Sequence, residues 1–420
     1  MSDDDDPPNA DVPLFSNGDA EPLQPTDDDS ISAGDFLNSF GEEIRRTLDL
    51  STWRVGNDLA NEYARVEREV RDAVERETDL QRKVRKEVFP RIETRKKAPK
   101  NAGVHEADQA VIEKIHRDLL FHGGMEACDG AIQVHDTLPL TIYQIGVTLV
   151  SYSGDQGTWS QRLFRRDLKQ SGDSRIDDVL ASLERRSRRR DPSLRDGLGE
   201  LIQKTFLQYA ERAILLRHSK APWLMGRGNP ITYELLTGGG NLELMVEATN
   251  VLRQLVEQRQ KFVFVAHEPG DEVLLTIGHA LRPMEFAIVN TLDERLEHWL
   301  HQKRFRTKVG ETLQWDNDAI RPTEWIPRVI HRVASKIVVG VFRATPVAPA
   351  QVFYAHEDHA MLAAHMVLAD SMLQEHRGFP MLADMARQTC NTAFGDSLAA
   401  LADNAYAAAG APWRFSQFRR

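Results

Sequence analysis

The chain has 420 residues, 41% of them hydrophobic and 28% charged, with a formal net charge of -10. That is enough apolar material for one large or two ordinary domains, and it does not suit a generally basic nucleic-acid binder, although "DDDD" and "DDD" put much of the acid in the first 30 residues. Its two cysteines, Cys128 and Cys390, cannot build a disulfide framework, no apolar run reaches transmembrane length and no signal-peptide pattern is visible, so a cytoplasmic protein with no membrane partner is expected.

Residues 1–30 are rich in Asp, Pro, Ser and Asn and read as a disordered acidic tail. A helical N-terminal region over 31–105 follows, and the main domain is expected over 106–420. From Asp58, the residues Leu59, Tyr63, Val66 and Val70 follow a 4-3-4 spacing that Val74, Val84 and Val88 continue, which predicts a long amphipathic helix ending near Pro90. Its apolar stripe could lie against the body of the chain or against a second copy. "ETRKKAPKNAG" then reads as a basic linker or turn, and a helix around Val111 to Leu120 leads into "MEACDGAIQVHDTLPLTIYQIGVTLVSY". This last stretch has the pattern of a core hairpin, its second strand running over the β-branched segment from Leu140 to Val150.

Residues 154 to 195 are polar and charged, and "ERRSRRRDPSLR" places Arg185, Arg186, Arg188, Arg189 and Arg190 within six positions. Such a run can hold phosphates or can be a solvated face, and no interleaved aromatics decide between the two. A helix is expected over 197–217, then the strand "APWLMG", a glycine-broken turn, a helix over 241–259 and the strand "KFVFVAHE". Further helices lead to the strands "SKIVVGVFRA" and "QVFYAHE", with two helices after them. Strands interleaved with helices predict an α/β domain with a mixed sheet covered by helices.

Three features could carry chemistry. A buried Asp129 would stay ionised only beside a cation or donors, and hard divalent ions take oxygen ligands. By residue type alone, Asp129-Gly130 is more ordinarily the turn of the hairpin. "HEDH" at His356 to His359, with His365 beyond, is not the H-E-x-x-H zinc pattern and fits a surface helix start at least as well. "LLTGGGN" has no Lys-Ser or Lys-Thr after its glycines, and reads as a flexible turn.

The order of "ACDGAIQVH", "TIYQIGVTLVSY", Glu211 in "FLQYAERAILL", "LMGRGNPI", "GFPMLADMARQTC" and the basic ending "WRFSQFRR" resembles the NurA-domain nucleases. The resemblance spans roughly residues 110 to 420. It implies an RNase H-like, Piwi-related mixed sheet flanked by helices, a homodimer, a HerA-type hexameric ATPase partner, and Mn²⁺- or Mg²⁺-dependent hydrolysis of DNA in repair or defence. Carried over by position, Asp129 and Glu211 match the family's first two acidic residues and are the implied catalytic and metal-binding pair. The third acidic position falls at Arg227, the family's tyrosine at Phe379 and its histidine at Arg387. Glu234 and Asp384 stand as carboxylates that could take over as metal ligands, and Arg227 and Arg387 join the arginine run as candidate DNA contacts.

Two readings follow. In the first, the protein is a metal-dependent DNA nuclease, the reading favoured here on its two retained acids. In the second it is a NurA-like subunit that docks the ATPase and DNA without cutting. Three carboxylates converging with no arginine among them would favour the first, and Arg227 filling the space beside Asp129 would favour the second.

Overall fold

The computed structural model describes residues 33–53, 58–136, 140–154, 159–167, 199, 201–266, 271–296, 312–316, 318–394 and 397–410. The acidic tail, the arginine run at Arg185 to Arg190 and the "WRFSQFRR" ending lie outside them. The chain divides into two compact units, residues 1–76 and 77–420.

In the first unit, helices Ala33–Phe40 and Ile44–Leu48 precede the start of a continuous helix, Asp58–Glu87. This is the long helix the 4-3-4 spacing predicts. Tyr63, Val66, Val70 and Val74 are exposed along it, and pairs such as Arg65–Glu69 and Arg71–Glu67 support its polar faces at the i,i+4 spacing. It stops at Val88, after which helix Phe89–Thr94 restarts with Pro90 in its first turn, where a missing N–H costs nothing.

The second unit is built on a nine-stranded mixed sheet. Its strands are β1 (Gly103–Glu106), β2 (Met125–Asp136), β3 (Leu140–Val150), β4 (Trp159–Asp167), β5 (Trp223–Arg227), β6 (Phe262–Ala266) and β7 (Glu285–Thr291). The short strands β8 (Leu313–Trp315) and β9 (Asp318–Ile320) pair apart from it, and β10 (Ile337–Arg343) and β11 (Gln351–His356) complete it in the order β1-β7-β10-β11-β6-β5-β2-β3-β4. β2, β5 and β6 run parallel, and the remaining pairs are antiparallel. The mixed sheet flanked by helices is the expected fold class.

Alternation along each strand sorts side chains between two cores. In β6, Phe262 and Phe264 join Leu252, Trp325 and Val329 on one face, whereas Val263 and Val265 join Ile112, Val367 and Leu382 on the other. Helices Leu207–His218, Leu242–Gln254 and Pro322–Arg332 cover the first face, and Gln109–Asp118, Ala360–Ser371 and Met381–Phe394 the second.

Four local expectations are corrected. Asp129-Gly130 is no turn: it sits inside β2, paired with Thr148 and Val147 of β3. A strand, β4, occupies part of the polar stretch after Ser153, and the apolar run of β7 lies where only helices were expected. "HEDH" starts no helix, because His356 ends β11 and the following helix begins at Ala360. His356 and His365 are buried, and His365 Nδ1 lies 2.7 Å from Met361 O, so these rings are satisfied core groups. The triple glycine lies in a turn, as expected, with Gly238, Gly239 and Gly240 all at positive φ.

Candidate active site

The pairing of β2 with β5 decides which side chains meet. Their parallel ladder brings Cys128 opposite Gly226 and ends there, so by alternation Asp129 and Arg227 follow on one face, the face covered by helix Met381–Phe394. That helix turns Leu382, Ala383, Ala386 and Cys390 toward the sheet. Its small residues permit close approach: Thr148 Oγ1 donates to Ala386 O at 2.9 Å, and Phe394 packs where a Cβ on Gly146 would stand. Asp384 and Arg387, on the same helix, are thereby carried to the mouth of the site.

Arg227 is the centre of the arrangement. Its Nη1 lies 3.6 Å from Asp129 Oδ2 and 3.3 Å from Asp384 Oδ1, and its guanidinium stands 5.0 Å from the centroid of the Phe379 ring. Asp384 Oδ2 accepts from Gln374 Nε2 at 3.1 Å and forms an ion pair with Arg377 Nη1, also at 3.1 Å. Asp129 is 4% exposed, and its Oδ2 has no hydrogen bond among the described residues. Burial pushes the Asp129 carboxyl above its ordinary range, opposed chiefly by the charge of Arg227.

Glu211 reaches the same strand from the opposite face. The Gly130 N–H, just past the end of the β2–β5 ladder, donates to Asp129 Oδ1 at 2.9 Å and to Glu211 Oε1 at 3.2 Å. A Cβ here would stand 2.9 Å from Glu211 Oε1 and 2.7 Å from Leu207 Cδ1, so any larger residue would push the Glu211 carboxylate off this amide. Burial drives the Glu211 carboxyl up to about 7 despite the neighbouring Arg212 guanidinium, and the charge of Asp129 adds to the rise. Arg212 is 3% exposed; its Nη1 donates to Glu211 Oε2 at 2.8 Å, and its other donors reach the carbonyls of Asn229 and Pro230.

Two carboxylates thus each have a resident guanidinium: Asp129 has Arg227, and Glu211 has Arg212. Among the described residues no three His, Cys, Asp or Glu side chains are grouped to hold a metal ion. The donor set does not fit the Mn²⁺ or Mg²⁺ that the sequence resemblance implies, because Arg227 puts a fixed cation between Asp129 and Asp384 where an ion would need both. Glu234, in the first turn of helix Tyr233–Thr237, makes no side-chain hydrogen bond or ion pair with the site. Asp384 does reach it. Arg212 and the cover supplied by Gln374 and Arg377 were not anticipated; a charged pair inside the otherwise apolar "YAERAILL" was the available signal for Arg212.

In front of Arg227 opens a cavity of about 750 Å³, lined among others by Arg377, Met381, Asp384, Arg387, Asn391 and Thr392.

No family model matches the chain, and no curated protein matches it. Among solved structures it is similar to the NurA nuclease from Sulfolobus solfataricus, at 9% identity and TM-score 0.44 over 86% of this chain and 100% of that one. A structure of NurA matches at 10% identity and TM-score 0.37 over 80% of this chain and 96% of that one. A third, NurA bound to dAMP and manganese, matches at 9% identity and TM-score 0.35 over 77% and 92%. The chain resembles NurA nucleases. At these values the likeness is a loose one, and the functional reading is drawn from the site itself. No helix among the described residues is long and apolar enough to cross a membrane.

Proposed function

We propose that this chain is a NurA-like nucleic-acid-binding protein in which an arginine stands where a catalytic metal would, so that it holds phosphates without cutting the strand. Arg227 carries this reading, through its position 3.6 Å from Asp129 and 3.3 Å from Asp384. A guanidinium neutralises carboxylates but has no vacant coordination site and does not shed its proton, so it cannot generate the metal-bound hydroxide that two-metal hydrolysis uses. Phe379 and Arg387, at the positions where the family resemblance expects a tyrosine and a histidine, supply neither a hydroxyl nor a neutral imidazole. DNA contacts from Arg227, Arg387 and the run Arg185 to Arg190, a homodimer and docking to a HerA-type ATPase belong to the same reading. The order β4-β3-β2-β5-β6, three antiparallel strands followed by two parallel ones, supports an RNase H-like core for it.

Two observations favour the nuclease reading. Asp129 Oδ2 is buried without a hydrogen bond among the described residues, and Asp129 and Glu211 converge on one amide; with Arg227 turned away, these two and Asp384 would be the residues to hold Mn²⁺ or Mg²⁺.

The deciding experiment incubates the purified chain with single- and double-stranded DNA in Mn²⁺ or Mg²⁺. No cleavage is expected from the wild type, and Arg227→Asp is expected to create Mn²⁺-dependent cleavage by removing the fixed cation and restoring a carboxylate at the third acidic position of the resemblance. Wild-type cleavage that falls by orders of magnitude in Asp129→Asn and Glu211→Gln would reverse the conclusion in favour of the nuclease.

A further inference from the structure

We infer that the cavity in front of Arg227 is a receptor for a phosphate monoester, the end group of a nucleic-acid strand or of a free nucleotide, and that it binds this group without a divalent ion. The inference rests on the reading of the chain as a nucleic-acid binder and names the ligand that its site is built for.

Three guanidiniums, Arg227, Arg377 and Arg387, line the cavity against one carboxylate, Asp384; with Asp129 paired to Arg227 from behind, the excess is one positive charge, left on Arg387. Asp129 lies behind Arg227 and is not part of the lining. Both oxygens of Asp384 are engaged, Oδ1 by Arg227 and Oδ2 by Gln374 and Arg377, so it has little left for an incoming cation. Arg387 is exposed and makes no hydrogen bond or ion pair with any described residue, which leaves a whole guanidinium fork for a ligand. One turn further along the same helix, Asn391 and Thr392 add neutral donors to the lining.

A phosphodiester in a strand carries one charge, whereas a monoester carries nearly two at neutral pH and presents three terminal oxygens. The forks of Arg377 and Arg387 face the cavity from two sides, and the three terminal oxygens of the second can engage both at once. A volume of about 750 Å³ falls within the range of small-molecule pockets, and Met381, Met385 and Leu373 give it an apolar wall for the sugar or base behind the phosphate.

The test measures binding of the full chain, in EDTA, to a single-stranded oligonucleotide carrying a 5′-phosphate and to its 5′-hydroxyl twin. The phosphorylated form is expected to bind about tenfold tighter. Arg377→Gln and Arg387→Gln, both at exposed positions where folding is not at stake, should each narrow that ratio. Equal binding of the two oligonucleotides overturns the inference while leaving the nucleic-acid reading in place, and binding of neither overturns both. A preference for the phosphate that appears only with Mn²⁺ overturns the metal-independent site. Competition with a nucleoside 5′-monophosphate then separates the sources: displacement at equal concentration identifies a free nucleotide as the ligand, and resistance to a large excess identifies a strand end.

Discussion

Glu211 and Arg212 are neighbours in sequence, yet both side chains are largely withdrawn from water, at 17% and 4% exposure. The free energy of such a pair depends on protonation. The Glu211 carboxyl titrates near 7 in the folded chain, above its ordinary 4.5, because burial disfavours its charged form. Between those two values the folded protein holds a proton that the unfolded chain has released, so stability is greatest below about pH 4.5 as far as this group is concerned and falls as pH rises toward 7. Glu211→Gln should flatten that slope, measured as urea unfolding between pH 5 and pH 8; an unchanged slope would remove Glu211 as its source. Sequence patterns alone could single out Asp129, since a carboxylate in an apolar context is conspicuous. They could not assign Arg227 a partner, because its pairing with Asp129 and Asp384 depends on strand register and on a helix about 150 residues further along.

At the scale of elements, helix Met381–Phe394 is held at its start by a group outside it. Asp370, at the end of helix Ala360–Ser371, accepts from Leu382 N at 2.9 Å through Oδ2 and from the Tyr152 hydroxyl at 2.5 Å through Oδ1. Asp370 is fully buried, and that burial pushes its carboxyl up to about 6. Tyr152→Phe leaves Oδ1 without its donor and should cost about 1.5–3 kcal/mol, the range for a hydrogen bond to a charged group. Because the same helix carries Asp384 and Arg387, the variant should also weaken phosphate binding; full stability by thermal unfolding would show that the hydroxyl is not needed there. This brace left no trace in the sequence, since a lone Asp in a helix and a Tyr after a strand are both ordinary. The central strands β2, β3, β6, β10 and β11 were legible because they are apolar and β-branched. β4 was not, because as an edge strand it carries charges such as Arg162 that mimic a loop. β7 was missed for the opposite reason: a short apolar run does not by its period distinguish a strand from a buried helix turn.

Over the whole molecule, the unit of residues 77–420 has its own two-faced core and needs no second copy to bury it. Residues 58–76 belong to the other unit, where Tyr63, Val66, Val70 and Val74 leave an apolar stripe exposed. A two-fold homodimer is the expected use of such a stripe. Light scattering should give twice the chain mass across a tenfold range of concentration, and replacing Val66 and Val70 by Glu should halve it. A monomer throughout would remove the dimer from the proposal, as failure to copurify with a HerA-type ATPase would remove that partner.

The place of β2 in the sheet also bears on how the protein is made. β2 meets its hairpin partner β3 within a few residues, but its other neighbour, β5, pairs Trp223 with Met125, 98 positions earlier (223 − 125). At about 5–20 residues per second, a ribosome needs roughly 5–20 s to supply that partner. Throughout this interval the nascent hairpin carries an open edge of unpaired amides and carbonyls beside Asp129, a template for wrong pairing. Arg227 leaves the ribosome with the strand that closes this edge, so no stage of synthesis presents a paired β2 edge without the arginine that neutralises its carboxylate.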